Sequence, residues 1–175
     1  CTGNYQGYNY QEVSAAAANK RARNAGSGAR RRAQFIQRFD DAAVRGDIKE
    51  AERCFEWARS NSDKPPTRFE HNLVLKACAS AGDVDRAVVW LNRQVEARIE
   101  PSQRSYGKVM QAAARSKRAD ICQKMLQLSL DAGMEVSPVH YFLNIWACAR
   151  SGDHAGAVKW LDIMIDKGLE PSAAC

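Results

Sequence analysis

The side chains that usually carry out catalysis are scattered along this chain. His71, His140 and His154 lie far apart and lack partners at the spacing of a metal site. Asp40 and Asp41 form an isolated acidic pair, and no glycine-rich phosphate loop is present. Since catalytic sites need groups that converge, we expect a protein that is not an enzyme. We also expect no cofactor, no metal and no small-molecule substrate.

The spacing of the cysteines does not indicate a metal site either. The chain has six cysteines and no pair separated by two residues, which is the usual spacing of cysteine metal ligands. Cys54, Cys78, Cys122 and Cys148 fall among apolar residues of predicted helices. We therefore predict that these four are small buried residues in a reducing compartment.

Positive charge is concentrated near the N-terminus. Residues 1–34 contain six basic residues and one acidic residue, so they carry five of the chain's six net positive charges. The basic residues are Lys20, Arg21, Arg23, Arg30, Arg31 and Arg32. We predict a flexible arm over residues 1–31, rich in basic and aromatic residues, that contacts nucleic acid through released counterions. A tail threading through a large assembly is the alternative for this arm.

A repeat of about 35 residues organises the rest of the chain. Gly–Asp pairs begin at Gly46, Gly82 and Gly152, and the last two lie 70 residues apart. A column of aromatic or imidazole side chains follows the same period, at Phe35, His71, Tyr106 and Tyr141. Short runs of alanine and cysteine recur with it. So many matching columns at one period indicate an internal repeat.

Each unit has the pattern of two helices joined by a tight turn. Tyr106, Met110 and Ala113 share one face of an amphipathic helix, and Gly–Asp pairs suit a helix end followed by a helix start. One such hairpin cannot bury its apolar face alone, but stacked hairpins can. We therefore predict an all-α protein, a right-handed superhelical solenoid of about four helix–turn–helix hairpins over 32–175, with a basic N-terminal arm. The units lie near 32–67, 68–102, 103–137 and 138–172. No apolar run reaches the roughly 20 residues of a membrane-spanning helix.

These columns resemble the pentatricopeptide repeat. The shared features are the period, the aromatic residue near each unit start, the small-residue column, the turn glycine and a closing Gly-x-x-Pro. Residues 138–172 match best, and the resemblance covers about 140 of the 175 residues. It implies a non-catalytic, RNA-binding or RNA-associated protein of organelle gene expression. Such a protein is encoded in the nucleus and imported into the mitochondrion or plastid.

The resemblance also implies which residues contact single-stranded RNA. In the family, the first helix of each unit lines a concave face, and the fifth and last residues of a unit read one base. Asn72 with Ser102 is the pair here that resembles a working reader, whereas Ile36, Gly107 and Phe142 depart from the pattern. The implied RNA contacts are Phe69, Asn72, Lys76, Ser102, Arg104, Lys108, Arg115, Trp146 and Arg150. Each charged member could instead be a solvated surface residue, and Trp146 could face the core or a protein partner.

The helix that follows Gly152 suggests another kind of contact. Its apolar residues cover more than one narrow stripe, so we expect a further repeat, a cap or a partner to cover it. The predicted docking residues are Trp160, Leu161, Ile163, Met164 and Ile165. The alternative function is therefore a structural subunit that binds proteins within a large organellar complex, such as a ribosome or a membrane-associated assembly.

Overall fold

The computed structural model describes residues 30–61 and 64–170, and within these ranges it contains eight helices and no strand. The helices are α1 (30–45), α2 (Ile48–Ser60), α3 (Arg68–Ala81), α4 (Val84–Glu96), α5 (Gln103–Arg115), α6 (Ala119–Asp131), α7 (Pro138–Ser151) and α8 (His154–Asp166). One pair of these helices falls within each predicted unit, except that α1 begins at residue 30, two residues before the first unit. Among the described residues, no helix is both long and apolar enough to cross a membrane.

The chain divides into two compact units, residues 1–38 and residues 39–175. In the first unit, residues 30–38 are helical, and the side chains of Arg30, Arg31 and Arg32 are exposed. The predicted arm over 1–31 otherwise lies outside the described residues, and so do Lys20, Arg21 and Arg23. The packing and contacts below all belong to the second unit.

The Gly–Asp turns have the predicted conformation. Gly82 lies in the left-handed region at φ +75°, and its N–H donates to the carbonyl of Ala79 at 3.3 Å. Asp83 then begins α4, where its carboxylate accepts from the N–H of Arg86 at 3.0 Å. The same combination recurs at Gly46–Asp47 and at Gly152–Asp153. Local turn chemistry therefore sets both the end of the first helix and the start of the second.

The helices stack as repeated pairs. We call α1, α3, α5 and α7 the A helices, and α2, α4, α6 and α8 the B helices, because they come first and second in each unit. Helix α5 packs against both α3 and α7, so these three A helices form a continuous row. The B helices α4 and α6 each pack against the A helix of their own unit and the A helix of the next unit. This arrangement confirms the predicted all-α, helical-repeat solenoid.

Small side chains allow the A helices to approach each other closely. The alanine and cysteine columns of α3, α5 and α7 are almost fully buried, apart from the exposed Ala149 at the end of its column. Cys54, Cys78, Cys122 and Cys148 are buried free thiols, as predicted. Burial raises the pKa of Cys78 to about 12, so this thiol stays protonated at neutral pH.

Large side chains of the B helices fill the space beside the small residues. Trp90 of α4 is 2% exposed and meets Phe55 of α2 edge to face, with ring centroids 4.7 Å apart. Its indole N–H donates to the carboxylate of Glu52 at 3.0 Å. Burying an aromatic side chain of this size stabilises the fold by roughly 2–3 kcal/mol, which links neighbouring hairpins.

Candidate nucleic-acid interface

The two residues predicted to read a base are joined through a third, Ser105. The Ser105 hydroxyl donates to Asn72 Oδ1 at 2.8 Å and accepts from the backbone N–H of Ser102 at 3.1 Å. Ser102 begins α5, where its hydroxyl accepts from the backbone N–H of Ser105 at 3.3 Å. Asn72 on α3 and Ser102 at the start of α5 are therefore fixed relative to each other.

This network sets the orientation of the Asn72 amide. Its oxygen accepts from Ser105, so its NH₂ group stays available as a donor to an acceptor on a base edge. Asn72 is half-buried, which leaves part of the side chain accessible. Sequence reasoning missed Ser105, although its spacing of three residues from Ser102 is a helix-start signal. The bond to Asn72 spans 33 residues of chain and has no local signature.

Three cations from α3 and α5 lie close together. The pKa of Lys108 is lowered, first by burial and then by the positive charges of Lys76 and Arg104. Lys108 also donates to Gln111 Oε1 at 3.3 Å, and Lys76 makes an ion pair with Asp40 of α1 at 2.6 Å. We call Lys76, Arg104 and Lys108 the A-helix basic cluster. Such mutual repulsion is relieved when an anion binds among the three groups.

The second residue of each unit is exposed. Phe69 is 51% exposed on the first turn of α3, Val139 is 60% exposed on α7, and Arg104 is exposed on α5. An accessible phenyl ring or guanidinium plane can stack on a nucleobase. The column predicted to contact bases by stacking is therefore open to solvent in α3 and α5.

Trp146 and Arg150 form a separate feature on α7. The Arg150 guanidinium lies over the Trp146 ring, 5.2 Å from its centroid, and the indole is half-buried. The cation covers part of the ring, so the exposed group here is mainly the guanidinium. The two residues are one helical turn apart, which is why the pairing forms within α7.

Arg115 has a structural contact. Its guanidinium donates to the backbone carbonyl of Ser80 at 2.8 Å, near the end of α3. A cation beside the last carbonyls of a helix satisfies an unpaired acceptor and opposes the helix dipole. Arg115 thus ties α5 to α3, and its interaction with RNA stays a prediction.

Packing explains why the third unit lacks a side chain at its fifth position. A Cβ atom on Gly107 would lie 3.1 Å from Nε2 of His140, which is buried. The same Nε2 lies 3.1 Å from the carbonyl of Gln103, and Nδ1 lies 2.9 Å from the Ser137 hydroxyl. The carbonyl can only accept, so Nε2 carries the proton in the neutral ring. Gly107 makes room for this link between α5 and α7.

The predicted docking residues of α8 divide into two groups. Trp160, Leu161 and Ile163 are partly exposed, and Ile165 is 53% exposed. Met164 is 1% exposed, so its assignment to a docking surface needs correction: its side chain is part of the internal packing. The aromatic ring of Trp160 also meets Tyr141 of α7 at 6.4 Å between centroids.

Within the described ranges, no group of three or more His, Cys, Asp or Glu side chains could hold a metal ion.

Two family models match separate stretches of the chain. One, described as pentatricopeptide repeat-containing protein, matches residues 105–175, and another, described as PPR repeat, matches residues 71–93. A comparison with curated proteins gives no significant match.

Solved structures of pentatricopeptide repeat (PPR) proteins share this fold. The PPR domain of Arabidopsis thaliana protein-only RNase P 1, solved in complex with tRNA, has a TM-score of 0.65 and 19% sequence identity; the match covers 79% of this chain and 73% of that chain. Nuclear proteinaceous RNase P 2 from A. thaliana has a TM-score of 0.65 and 15% identity, over 81% of this chain and 32% of that chain.

The stacked helix pairs define a helical-repeat protein with a row of A helices that carries polar and basic groups. The repeat models match within this same row of hairpins. The chain belongs to the pentatricopeptide repeat family, and the resemblance found in its sequence is thereby confirmed.

Proposed function

We propose that this PPR protein binds single-stranded RNA on the surface of its A helices α3 and α5. The observation that carries the proposal is the position of Asn72 beside the A-helix basic cluster. Asn72 and Lys76 are one turn apart on α3, and the charge of Lys76 acts on Lys108 of α5. The amide can hydrogen-bond a base edge, and the cations can bind the phosphate backbone.

Family membership supports this proposal in a second way. A similar structure, the PPR domain of protein-only RNase P 1, was solved in complex with tRNA. For this chain we propose single-stranded RNA, because exposed Phe69 and Arg104 suit stacking on unpaired bases.

The double variant Arg104→Gln with Lys108→Gln tests the proposal. We expect it to weaken binding of a labelled single-stranded RNA pool by about tenfold to a hundredfold at low salt, because two phosphate contacts are lost. Fluorescence anisotropy with the full chain measures the dissociation constant. The matched control is Lys124→Gln with Lys159→Gln, which removes two exposed charges from B helices.

The two outcomes of this test are distinct. A large loss in the A-helix variant with little change in the control supports binding at α3 and α5. Equal losses in both variants, or no RNA binding by the unmodified chain at low salt, contradict the proposal. Lys108 is half-buried, so circular dichroism spectra of the variants check that its replacement has not disrupted the fold.

We further propose that the protein acts without catalysis and within an organelle, mitochondrion or plastid. The family resemblance supports both points, but two of the similar structures belong to RNase P proteins, so activity needs a direct assay. Incubation of RNA with the protein and Mg²⁺ should give no cleavage products, and RNA cleavage would contradict the proposal of a non-catalytic protein.

Import of the labelled precursor into isolated organelles tests the proposed location. Protein that stays outside the organelles and remains sensitive to protease would contradict that location.

A second candidate function is a structural subunit of a large organellar assembly. The observation that favours it is the apolar surface of α8, where Val158 and Ile165 are 58% and 53% exposed. Exposed apolar residues on one helix suit a protein contact. Replacing Val158 and Ile165 by serine should release the protein from such an assembly, measured by co-sedimentation, while RNA binding on α3 and α5 stays unchanged.

A further inference from the structure

A groove of about 1000 Å³ is lined by residues of α2, α3 and α4, and no residue of the A-helix basic cluster is among them. Its walls come from the second half of α2, the linker before α3, the start of α3 and the end of α4 with the loop that follows. None of the residues proposed above to bind RNA lines it. The groove is therefore a second candidate site, independent of the proposed RNA interface.

Four arginines line this groove, and all four are exposed: Arg59, Arg68, Arg93 and Arg98. Arg59 pairs with Glu56 at 2.7 Å, and the Arg93 guanidinium lies over Trp90 at 4.8 Å from the ring centroid. Within the described part of the chain, Arg68 and Arg98 have no ion-pair partner. Two guanidinium groups are thus available to bind an anion, and guanidinium binds carboxylate in a two-point geometry.

The groove lacks a platform on which a nucleobase could stack. Phe55, His71 and Trp90 form its floor, but they pack edge to face with one another and are at least nine-tenths buried. The accessible apolar lining includes Pro65 and Ile99, which suit an aliphatic side chain. Single-stranded nucleic acid usually needs aromatic faces for stacking, so RNA fits this lining poorly.

Two glutamates at the groove, Glu56 and Glu100, also disfavour a continuous polyphosphate. A peptide can place its carboxylates opposite the arginines and uncharged residues opposite the glutamates, whereas every nucleotide of RNA carries a negative charge. The charged residues and the apolar lining of the groove therefore both favour a peptide with carboxylates over RNA.

Arg98 has an unusual backbone conformation for its residue type. It lies two residues after the end of α4 at φ +57°, and the equivalent positions after α6 and α8 are Gly133 at φ +67° and Gly168 at φ +68°. The N–H of each of these residues donates to the carbonyl three residues earlier, at 2.8–2.9 Å. A left-handed conformation disfavours arginine relative to glycine by about 1 kcal/mol. Arginine thus occupies a turn that glycine fits better, and it adds a guanidinium at the groove.

We propose that this groove binds an acidic peptide segment of a partner protein, with carboxylates on Arg68 and Arg98 and an aliphatic side chain against Pro65 and Ile99. The partner is defined by this chemistry: glutamate or aspartate residues flanking a leucine, isoleucine or valine. Such a contact would let the protein hold RNA and a protein partner on different surfaces.

Selection from a random peptide library on the immobilised full chain tests the proposal. The expected enrichment is for acidic residues flanking one aliphatic residue. A labelled peptide of the enriched sequence then measures affinity by fluorescence anisotropy. We expect Arg98→Gly to weaken this affinity by about tenfold, because one charge-assisted contact is lost. The substitution suits the backbone, so the variant should fold.

Lys117→Gly is the matched control. Lys117 has φ +59°, so this variant removes the same charge and relieves the same backbone conformation, but at a turn outside the groove. A tenfold loss for Arg98→Gly with less than about a twofold change for Lys117→Gly supports the proposal. Equal losses, or enriched peptides without acidic residues, overturn it. A similar loss of oligouridylate RNA affinity in Arg98→Gly would make the groove an RNA site and would also overturn it.

Discussion

His71 is a titratable residue held inside the packing of three helices. Its ring lies 4.8 Å from that of Phe55 on α2 and 6.2 Å from that of Trp90 on α4, measured between centroids. Its Nδ1 donates to the carbonyl of Thr67 at 2.9 Å. Burial lowers the pKa of His71 below its ordinary value of 6.5, against smaller raising effects from the Thr67 bond and the charge of Glu70. The neutral ring is therefore the form that the folded protein accommodates.

This shift makes stability depend on pH. Above about pH 6.5 the ring is neutral in both states, and its packing contributes fully. As the pH falls below that value, the unfolded chain binds a proton that the folded chain does not, so the free energy of unfolding decreases. We expect His71→Phe to reduce this decrease, measured by urea unfolding between about pH 7 and pH 5.

His154→Gln is a suitable control for that measurement, because His154 is exposed on the first turn of α8. This variant should keep the pH dependence of the unmodified protein. If His71→Phe and the unmodified protein lose stability in parallel as the pH falls, another group causes the effect.

Among the turns between helices, Gly46 has a packing role besides its conformation. At Gly46, φ is +73°, and a Cβ atom would lie 2.9 Å from the backbone nitrogen of Ala81 at the end of α3. At Gly152, φ is +85°, and a Cβ atom would meet nothing within 4 Å. The turn at Gly46 is thus in close contact with the next hairpin, whereas the turn at Gly152 has no such contact among the described residues.

Alanine substitution separates these two contributions. Gly152→Ala should lower the free energy of unfolding by about 1 kcal/mol through backbone strain alone. Gly46→Ala should lower it by at least about another 1 kcal/mol, because the end of α3 must move. Chemical denaturation of both variants gives the difference. Equal losses would mean that α3 shifts aside without a measurable effect.

The turns also show how far the sequence predicts the elements. Gly82–Asp83 is recognisable because left-handed glycine and an aspartate cap act within a few residues. Arg98 and Lys117 take the same left-handed conformation although neither is glycine, so their residue types gave no signal for it. The bond from Ser105 to Asn72 depends on the stacking of α3 and α5, so only the structure could reveal it. The burial of Met164 similarly depends on how α8 packs on α7.

At the scale of the whole molecule, charge is distributed unevenly along the chain. Residues 1–34 carry five of the six net positive charges, so the remainder is nearly neutral. Arg30, Arg31 and Arg32 are exposed and are the part of this basic segment that the structure describes. If RNA binding involves them, its salt dependence should exceed what the A-helix basic cluster provides.

Replacing Arg30, Arg31 and Arg32 by glutamine tests that expectation. The slope of log affinity for single-stranded RNA against log salt should become shallower by about two, since each lost phosphate contact contributes roughly 0.7. Titrations at several salt concentrations measure the slope. A triple control, Lys124, Lys159 and Lys167 to glutamine, should leave it nearly unchanged. An unchanged slope in the arginine variant would mean that basic residues other than these three contact the phosphates.

Helix α8 packs against α7, whereas the B helices α4 and α6 each pack against two A helices. In a repeat array each unit is stabilised by the units beside it, so α8 can open while α3 and α5 stay closed. Its backbone amides should therefore exchange with deuterium sooner than those of α3 and α5. Protection from exchange would then rise from α8 towards the middle of the row, and the most easily opened helix would be the one that already exposes Val158 and Ile165.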